Sequence, residues 1–138
     1  LASAVSSLFW GRYSDRSSKS VLVWAAFGAS SLGIVVFLLE RGGALDRFSW
    51  IPPLAFFLLT IAHSGIRIGR KTYILDMAGG ARRTDYVAVS NTVIGGVLLL
   101  SGAVGFLAPI VGSAGMLLVL SAMGFVGVLG GRTLPETQ

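Results

Sequence analysis

Long stretches without charge dominate this sequence. No Asp, Glu, Lys or Arg occurs from Val21 to Leu39, from Phe48 to Ile66, or from Tyr86 to Gly131. An apolar run of about 18 residues or more is typical of a membrane span, because about 20 helical residues cross the hydrocarbon core. A soluble core helix would need a polar face, and residues 21–39 offer only Ser30 and Ser31. The sequence therefore predicts an all-α integral membrane protein, folded as a transmembrane helix bundle. The lipid bilayer is accordingly one of its expected partners.

The composition narrows the function classes. Charged residues make up 12% of the chain, about half of what a soluble domain carries. The net charge of +5 comes from basic clusters between apolar runs, which the positive-inside rule explains without a nucleic-acid partner. Because there is no Cys, disulfides and thiolate metal sites are excluded. We find no nucleophile–base pair, metal-ligand cluster or phosphate-binding loop, so we expect neither an enzyme nor a cofactor or metal site.

Turn residues divide the chain into five predicted membrane segments. Pro52 and Pro53 suit the first turn of a helix, whereas Pro109 and Gly112 interrupt the last long apolar run. Because the helical pattern continues after residue 68, an alternative is that the helix of the third segment extends to Met77. Since the chain begins within an apolar stretch, we expect it to be part of a longer protein. The predicted segments are residues 1–10, 21–39, 51–68 (or to 77), 87–108 and 113–131.

The distribution of Lys and Arg predicts the orientation. Alternate connections between the segments carry nine of these residues on one side and two, Arg41 and Arg47, on the other. The richer side is expected to be cytoplasmic, which places predicted loops 11–20 and 69–85 and the C-terminus in the cytoplasm. We expect a multi-pass protein of a plasma membrane, such as a bacterial inner membrane. The nine residues are Arg12, Arg16, Lys19, Arg67, Arg70, Lys71, Arg82, Arg83 and Arg132.

Polar residues inside the segments are candidates for a substrate path, because ionisable groups are costly in a membrane. His63, Arg67 and either Arg70 or Lys71 recur at helical spacing and share one face of the third segment. They could line the cytoplasmic half of a path and attract an anionic solute. Alternatively, the Arg and Lys side chains anchor the helix by snorkelling, and His63 is a hydrogen-bonded packing residue. Asn91 is a further candidate for the path.

Small residues follow helical faces in the last two segments. Small side chains let membrane helices approach closely, so we expect these faces to pack against other helices. In the fourth segment the face comprises Ala88, Asn91, Gly95, Gly102, Gly105 and Pro109. In the fifth it comprises Ser121, Gly124, Gly127 and Gly130.

The charged stretch GRYSDRSSKS between the first two segments resembles the loop signature of the major facilitator superfamily. That pattern reads roughly G-x-x-x-D-[RK]-x-G-[RK]-[RK], and Gly11, Asp15, Arg16 and Lys19 stand at matching positions. Ser18 replaces the second Gly of the pattern, and Ser20 replaces its last basic residue. Four segments follow the motif, and the chain closes with LPETQ, which is similar to the P-E-T tail often seen just after helix 12 in the family.

The resemblance implies a fold, partners and a function. The chain would be the C-terminal portion of a transporter, from helices 8/9 to 12, and part of one six-helix half of a twelve-helix fold. Its partners would be the missing N-terminal helices of the same chain and a small-molecule solute. It would act as a secondary active transporter, a permease working by alternating access. Gly11, Asp15, Arg16 and Lys19 would form a polar clasp that favours one conformation, the alternative being a simple positive-inside anchor.

Two other functions are compatible with the residues alone. One is a small stand-alone membrane scaffold or oligomeric channel subunit. The other is a small multidrug carrier of four spans that works as a dimer. That class depends on an acidic residue inside its first span, and no Asp or Glu lies within any predicted segment.

Overall fold

The computed structural model describes residues 2–78 and 82–135. All regular secondary structure in these residues is helical. Three helical stretches are long and apolar enough to cross a membrane: Ser18–Arg41, Ile51–Met77 and Arg83–Thr133. The prediction of an all-α chain with helices long and apolar enough to cross a membrane is therefore confirmed. The helices are α1 (Ala2–Ser14), α2 (Ser18–Arg41), α3 (Ala44–Arg47), α4 (Ile51–Met77), α5 (Arg83–Val104) and α6 (Ala108–Thr133), with a short 3-10 turn (Gly105–Leu107) before α6.

The predicted loop over residues 11–20 is mostly helical, so its length was predicted wrongly. Helix α1 continues through Gly11 to Ser14, and α2 begins at Ser18. The side chain of Ser17 caps α2, because its Oγ accepts from the backbone N–H of Ser20 at 3.1 Å. Ser and Thr at this position satisfy an N–H group that has no partner within the helix. Only residues 15–17 connect the two helices.

The predicted loop over residues 69–85 is also shorter than expected. Helix α4 reaches Met77, as the alternative with the longer third segment predicts, and α5 begins at Arg83. The helix continues past residue 68 because Gly69 and Tyr73 are buried on its packed face. Residues 79–81 of that loop lie outside the described residues, as do Leu1 of the first predicted segment and residues 136–138 of the C-terminus.

The stretch Arg83–Thr133 changes direction near its middle. Helix α5 ends at Val104, before the predicted 108, and the backbone leaves helical geometry again at Gly112 with φ 72° and ψ 173°. A positive φ is accessible to glycine because it has no Cβ. Just beyond this break, Ser113 Oγ donates to Glu40 Oε1 of α2 at 3.4 Å. The break therefore lies beside the C-terminal end of α2.

Contacts between helix termini define one end of the bundle. Ser18 Oγ at the start of α2 donates to Asp76 Oδ2 near the end of α4, at 2.8 Å. The Tyr73 hydroxyl of α4 donates to the Pro135 carbonyl just after α6, at 3.0 Å. We call this the basic end: α2 and α5 begin here, and α4 and α6 end here. Helix α5 leads away from the basic end and α6 returns to it.

Glycines at the helix contacts set how closely α4 approaches its neighbours. A β-carbon at Gly65 would lie 2.7 Å from both Ala25 Cβ of α2 and Trp10 Cε2 of α1, and one at Gly69 would lie 2.9 Å from the backbone nitrogen of Leu22. The Trp10 indole N–H also donates to the Ile61 carbonyl at 2.9 Å. Gly65 and Gly69 thus form a G-x-x-x-G contact of the kind that brings membrane helices together.

Helix α6 packs on α2 through reciprocal serine–glycine contacts. The Ser30 side chain of α2 fills the space over Gly124, and the Ser121 side chain of α6 fills the space over Gly33. Both serines are buried. These contacts make α2 the central helix, between α4 and α6, and α1 packs against both α4 and α2.

Helix α5 has no buried residue. Its principal contacts are with α4 and with the 3-10 turn. Space around Gly95, Gly102 and Gly105 is open, so the small-residue face predicted for packing touches no neighbour at these glycines within the described residues. Large apolar side chains such as Leu98 and Leu99 are also exposed.

Candidate functional site: a cleft between α4 and α5

Helix α4 presents one packed face and one open face. Gly65, Gly69 and Tyr73 are buried against α1, α2 and the chain after α6. At 3.6 residues per turn, Arg67 and Arg70 point to the other side of the helix. Arg67 is exposed and Arg70 is partly buried. The predicted basic stripe therefore lies on the side of α4 that α1 and α2 leave uncovered.

A cleft of about 350 Å³ separates the end of α4 from the beginning of α5. The α4 side supplies both basic and aliphatic side chains, and the α5 side supplies one amide and one aliphatic side chain. The structure thus brings together Arg70 and Asn91, two of the four residues predicted for a substrate path. The lining residues are Arg70, Lys71, Ile74 and Leu75 from α4, and Val87 and Asn91 from α5.

The other two candidates for the path lie outside this cleft. His63 is exposed and borders a second cavity of about 300 Å³, with Ala29 of α2 and neighbouring α4 side chains. Its side chain forms no hydrogen bond with the described residues, and both interpretations of His63, as part of a path or as a packing residue, stay predictions. Arg67 lies one helical turn from both His63 and Arg70 and lines neither cavity.

The four motif residues lie at the basic end, on α1, on the connection and on α2. Gly11 is in the last turn of α1, and a β-carbon there would meet open space. Asp15 and Arg16 occupy the connection and are exposed, and Lys19 lies partly buried in the first turn of α2. Within the described residues Asp15 forms no side-chain hydrogen bond or ion pair. Among these residues, Asp15 is paired with neither Arg12 nor Arg16.

The contact from this connection to α4 is made by a residue that departs from the motif. Ser18, which stands where the family pattern has Gly, donates to Asp76, and its side chain is buried. Ser20, which replaces a basic residue, accepts from the Ser17 hydroxyl at 3.0 Å. Sequence reasoning missed the Ser18–Asp76 bond because the two residues are 58 positions apart. The one local sign of this contact in the sequence is that Ser18 departs from the Gly of the family pattern.

Comparison with known proteins gives no match for this chain. No protein-family model, no curated protein and no solved structure resembles it significantly. The likeness of residues 11–20 to the major facilitator signature therefore stands on those residues, and the family remains a hypothesis.

Proposed function

We propose that this chain is part of a secondary active transporter, a permease of the major facilitator type that moves a small solute by alternating access. The observation that carries the proposal is the open face of α4. Arg70 and Lys71 on this face line the cleft beside α5, away from the packed contact with α2. Ionisable side chains within membrane-crossing helices are rare and mark substrate or ion pathways.

The charged connection at the basic end supports the same proposal. Directly after it, Ser18 links the start of α2 to Asp76 at the end of α4. A polar link between two helix ends is suited to stabilise one arrangement of a bundle and to break in another. In the proposed permease, Asp15 and Arg16 would contact the N-terminal helices that the family resemblance implies, in one of the two conformations.

Uptake into proteoliposomes tests this proposal. The protein, expressed in full from its own gene, is reconstituted and exposed to the small-molecule fraction of a cell extract, and the vesicle contents are measured by mass spectrometry. We expect at least one solute to accumulate above protein-free vesicles. Asp15→Asn should reduce that accumulation while leaving membrane insertion intact, whereas Arg132→Gln, a change of an exposed cation at the same end, should not.

A second candidate function is favoured by α5. Its apolar side chains are exposed along the whole helix, as expected for a subunit of an oligomeric scaffold or channel. Leu99→Cys in the cysteine-free chain tests this possibility. Disulfide-linked dimers in native membranes, together with absence of uptake, would support the oligomer, whereas uptake without such dimers would support the permease.

A further inference from the structure

The side chains that line the cleft between α4 and α5 are of two kinds. Arg70 and Lys71 offer positive charge, all three polar residues offer hydrogen-bond donors, and Asn91 adds one amide carbonyl. Ile74, Leu75 and Val87 offer only hydrocarbon. No carboxylate lines the cleft among the described residues. A matching ligand carries an anionic group and an apolar part.

The two kinds of side chain form two layers. On α4 the basic pair precedes Ile74 and Leu75 by one turn, about 6 Å along the helix axis. Helix α5 leads away from the basic end, so Asn91 lies one turn deeper than Val87. The polar layer is thus farther from the basic end, and the aliphatic layer is nearer to it.

This order of layers distinguishes two sources of an amphiphilic anion. A phospholipid of the adjacent leaflet keeps its headgroup at the membrane surface and its chains toward the midplane, so its chains would meet the polar layer. A solute that enters from the basic end with its anionic group leading places that group beside Arg70, Lys71 and Asn91. Its apolar tail then contacts Ile74, Leu75 and Val87.

We propose that the cleft binds a small amphiphilic anion, a carboxylate or phosphate with an apolar tail, which enters from the basic end. Arg can bind such a group through two parallel hydrogen bonds, and Lys adds a second positive charge. The volume of about 350 Å³ is at the lower end of ligand pockets and suits a short tail. This inference rests on the proposed permease function, because it names the class of solute that the permease would carry.

Photolabelling tests the inference by binding, independently of transport. The probe is a medium-chain fatty acid with a diazirine at the end of its tail, and the matched control is the corresponding fatty alcohol. The protein, expressed in full, is placed in phosphatidylcholine nanodiscs, and labelled residues are located by mass spectrometry. We expect the acid to label Ile74, Leu75 or Val87, and the alcohol to label them at least about tenfold less.

Three variants connect the label to the cleft. Arg70→Gln combined with Lys71→Gln should lower labelling by the acid about tenfold or more, because charged hydrogen bonds to the anion are lost. Val87→Phe keeps both cations and fills the aliphatic layer, so it should also lower labelling. Arg132→Gln removes a cation at the basic end outside the cleft and should change nothing. The melting temperature of each variant shows that it is folded.

The possible results separate the inference from the proposed function. Equal labelling by acid and alcohol, or labelling that does not depend on Arg70 and Lys71, overturns the inference. A lipid ligand would also overturn the inference. It would be shown if phosphatidylglycerol displaced the acid and a phosphatidylglycerol probe labelled the same residues. Specific labelling without fatty-acid uptake keeps the binding site and contradicts the permease. Uptake of another solute without labelling contradicts only the inference.

Discussion

At the scale of single residues, the closest contacts in this protein are made where side chains are smallest. Gly69 lets the backbone of α4 approach the backbone of α2 at Leu22, and Gly65 receives the Trp10 ring. Lipid chains are as apolar as aliphatic side chains, so membrane helices associate through close packing and hydrogen bonds rather than through a hydrophobic drive. We therefore expect a methyl group to have opposite effects at packed and at open glycines.

Gly69→Ala should destabilise the bundle by about 1–3 kcal/mol, because its β-carbon would overlap the α2 backbone and not a flexible side chain. Gly95→Ala is the matched control on α5, where space is open. There the substitution should be neutral or should stabilise by up to about 1 kcal/mol, since Ala favours helix. Denaturant titration in mixed micelles measures both. Equal effects of the two substitutions would show that α4 and α2 are not in backbone contact.

The Ser18–Asp76 hydrogen bond is a second feature at the residue scale. We expect a double-mutant cycle of Ser18→Ala and Asp76→Ala to give a coupling free energy of about 1 kcal/mol, because a charged acceptor strengthens a hydrogen bond. A control cycle of Ser18→Ala with Asp46→Ala, which lies on α3, should be additive. Unfolding free energies supply the values, and additivity in both cycles would refute a link between α2 and α4 at this position.

At the scale of helices, the sequence predicted which helices form more accurately than which faces pack. Residues 121, 124, 127 and 130 recur every three positions. At 3.6 residues per turn, each successive side chain of such a series is displaced by about 60° around the helix axis. Their later members, Gly127 and Gly130, accordingly meet open space. The face that packs on α2 instead follows the alternating spacing of three and four residues: Ser121, Gly124, Val128 and Gly131.

The candidate site shows the same division between what can and cannot be predicted. Periodicity alone placed His63, Arg67 and either Arg70 or Lys71 on one face of α4. The meeting of Arg70 with Asn91 depends on how α5 turns back beside α4, and no local pattern in the sequence determines that turn. The G-x-x-x-G contact at Gly65 and Gly69 is visible in the sequence as a motif, and it lies on the face of α4 opposite the basic stripe.

The packed face of α6 gives a prediction with its control on the same helix. Gly124→Ala places a methyl group against the buried Ser30 side chain and should destabilise the protein by about 1–3 kcal/mol. Gly127→Ala, one turn away, should not destabilise it because nothing lies nearby. Thermal unfolding in nanodiscs distinguishes them. A larger loss for Gly127→Ala would mean that another face of α6 is packed.

At the scale of the whole molecule, charge is segregated along the bundle. Helix α4 ends and α5 begins at the basic end, with Arg70, Arg82 and Arg83 close to it, whereas Arg41 and Arg47 lie at the opposite end beside α3. The positive-inside rule then predicts that the basic end is cytoplasmic.

Cysteine labelling in oriented vesicles tests this orientation directly, because the native chain has no Cys. Thr84→Cys and Asp46→Cys are both at exposed positions. A membrane-impermeant maleimide should react with the cysteine at position 84 only from the cytoplasmic side, and with that at position 46 only from the other side. If both cysteines reacted from the same side, a single membrane crossing between positions 46 and 84 would be contradicted.

The weak attachment of α5 has a mechanical consequence. Its principal contacts are with α4 and with the 3-10 turn, and beyond that turn Gly112 can adopt backbone angles closed to other residues. A swing of α5 about this end would widen the cleft while breaking few packed contacts. The described part of the chain therefore stores little free energy against such a movement. Opening of the cleft by this swing would therefore meet little resistance from the contacts that the described residues make with α5.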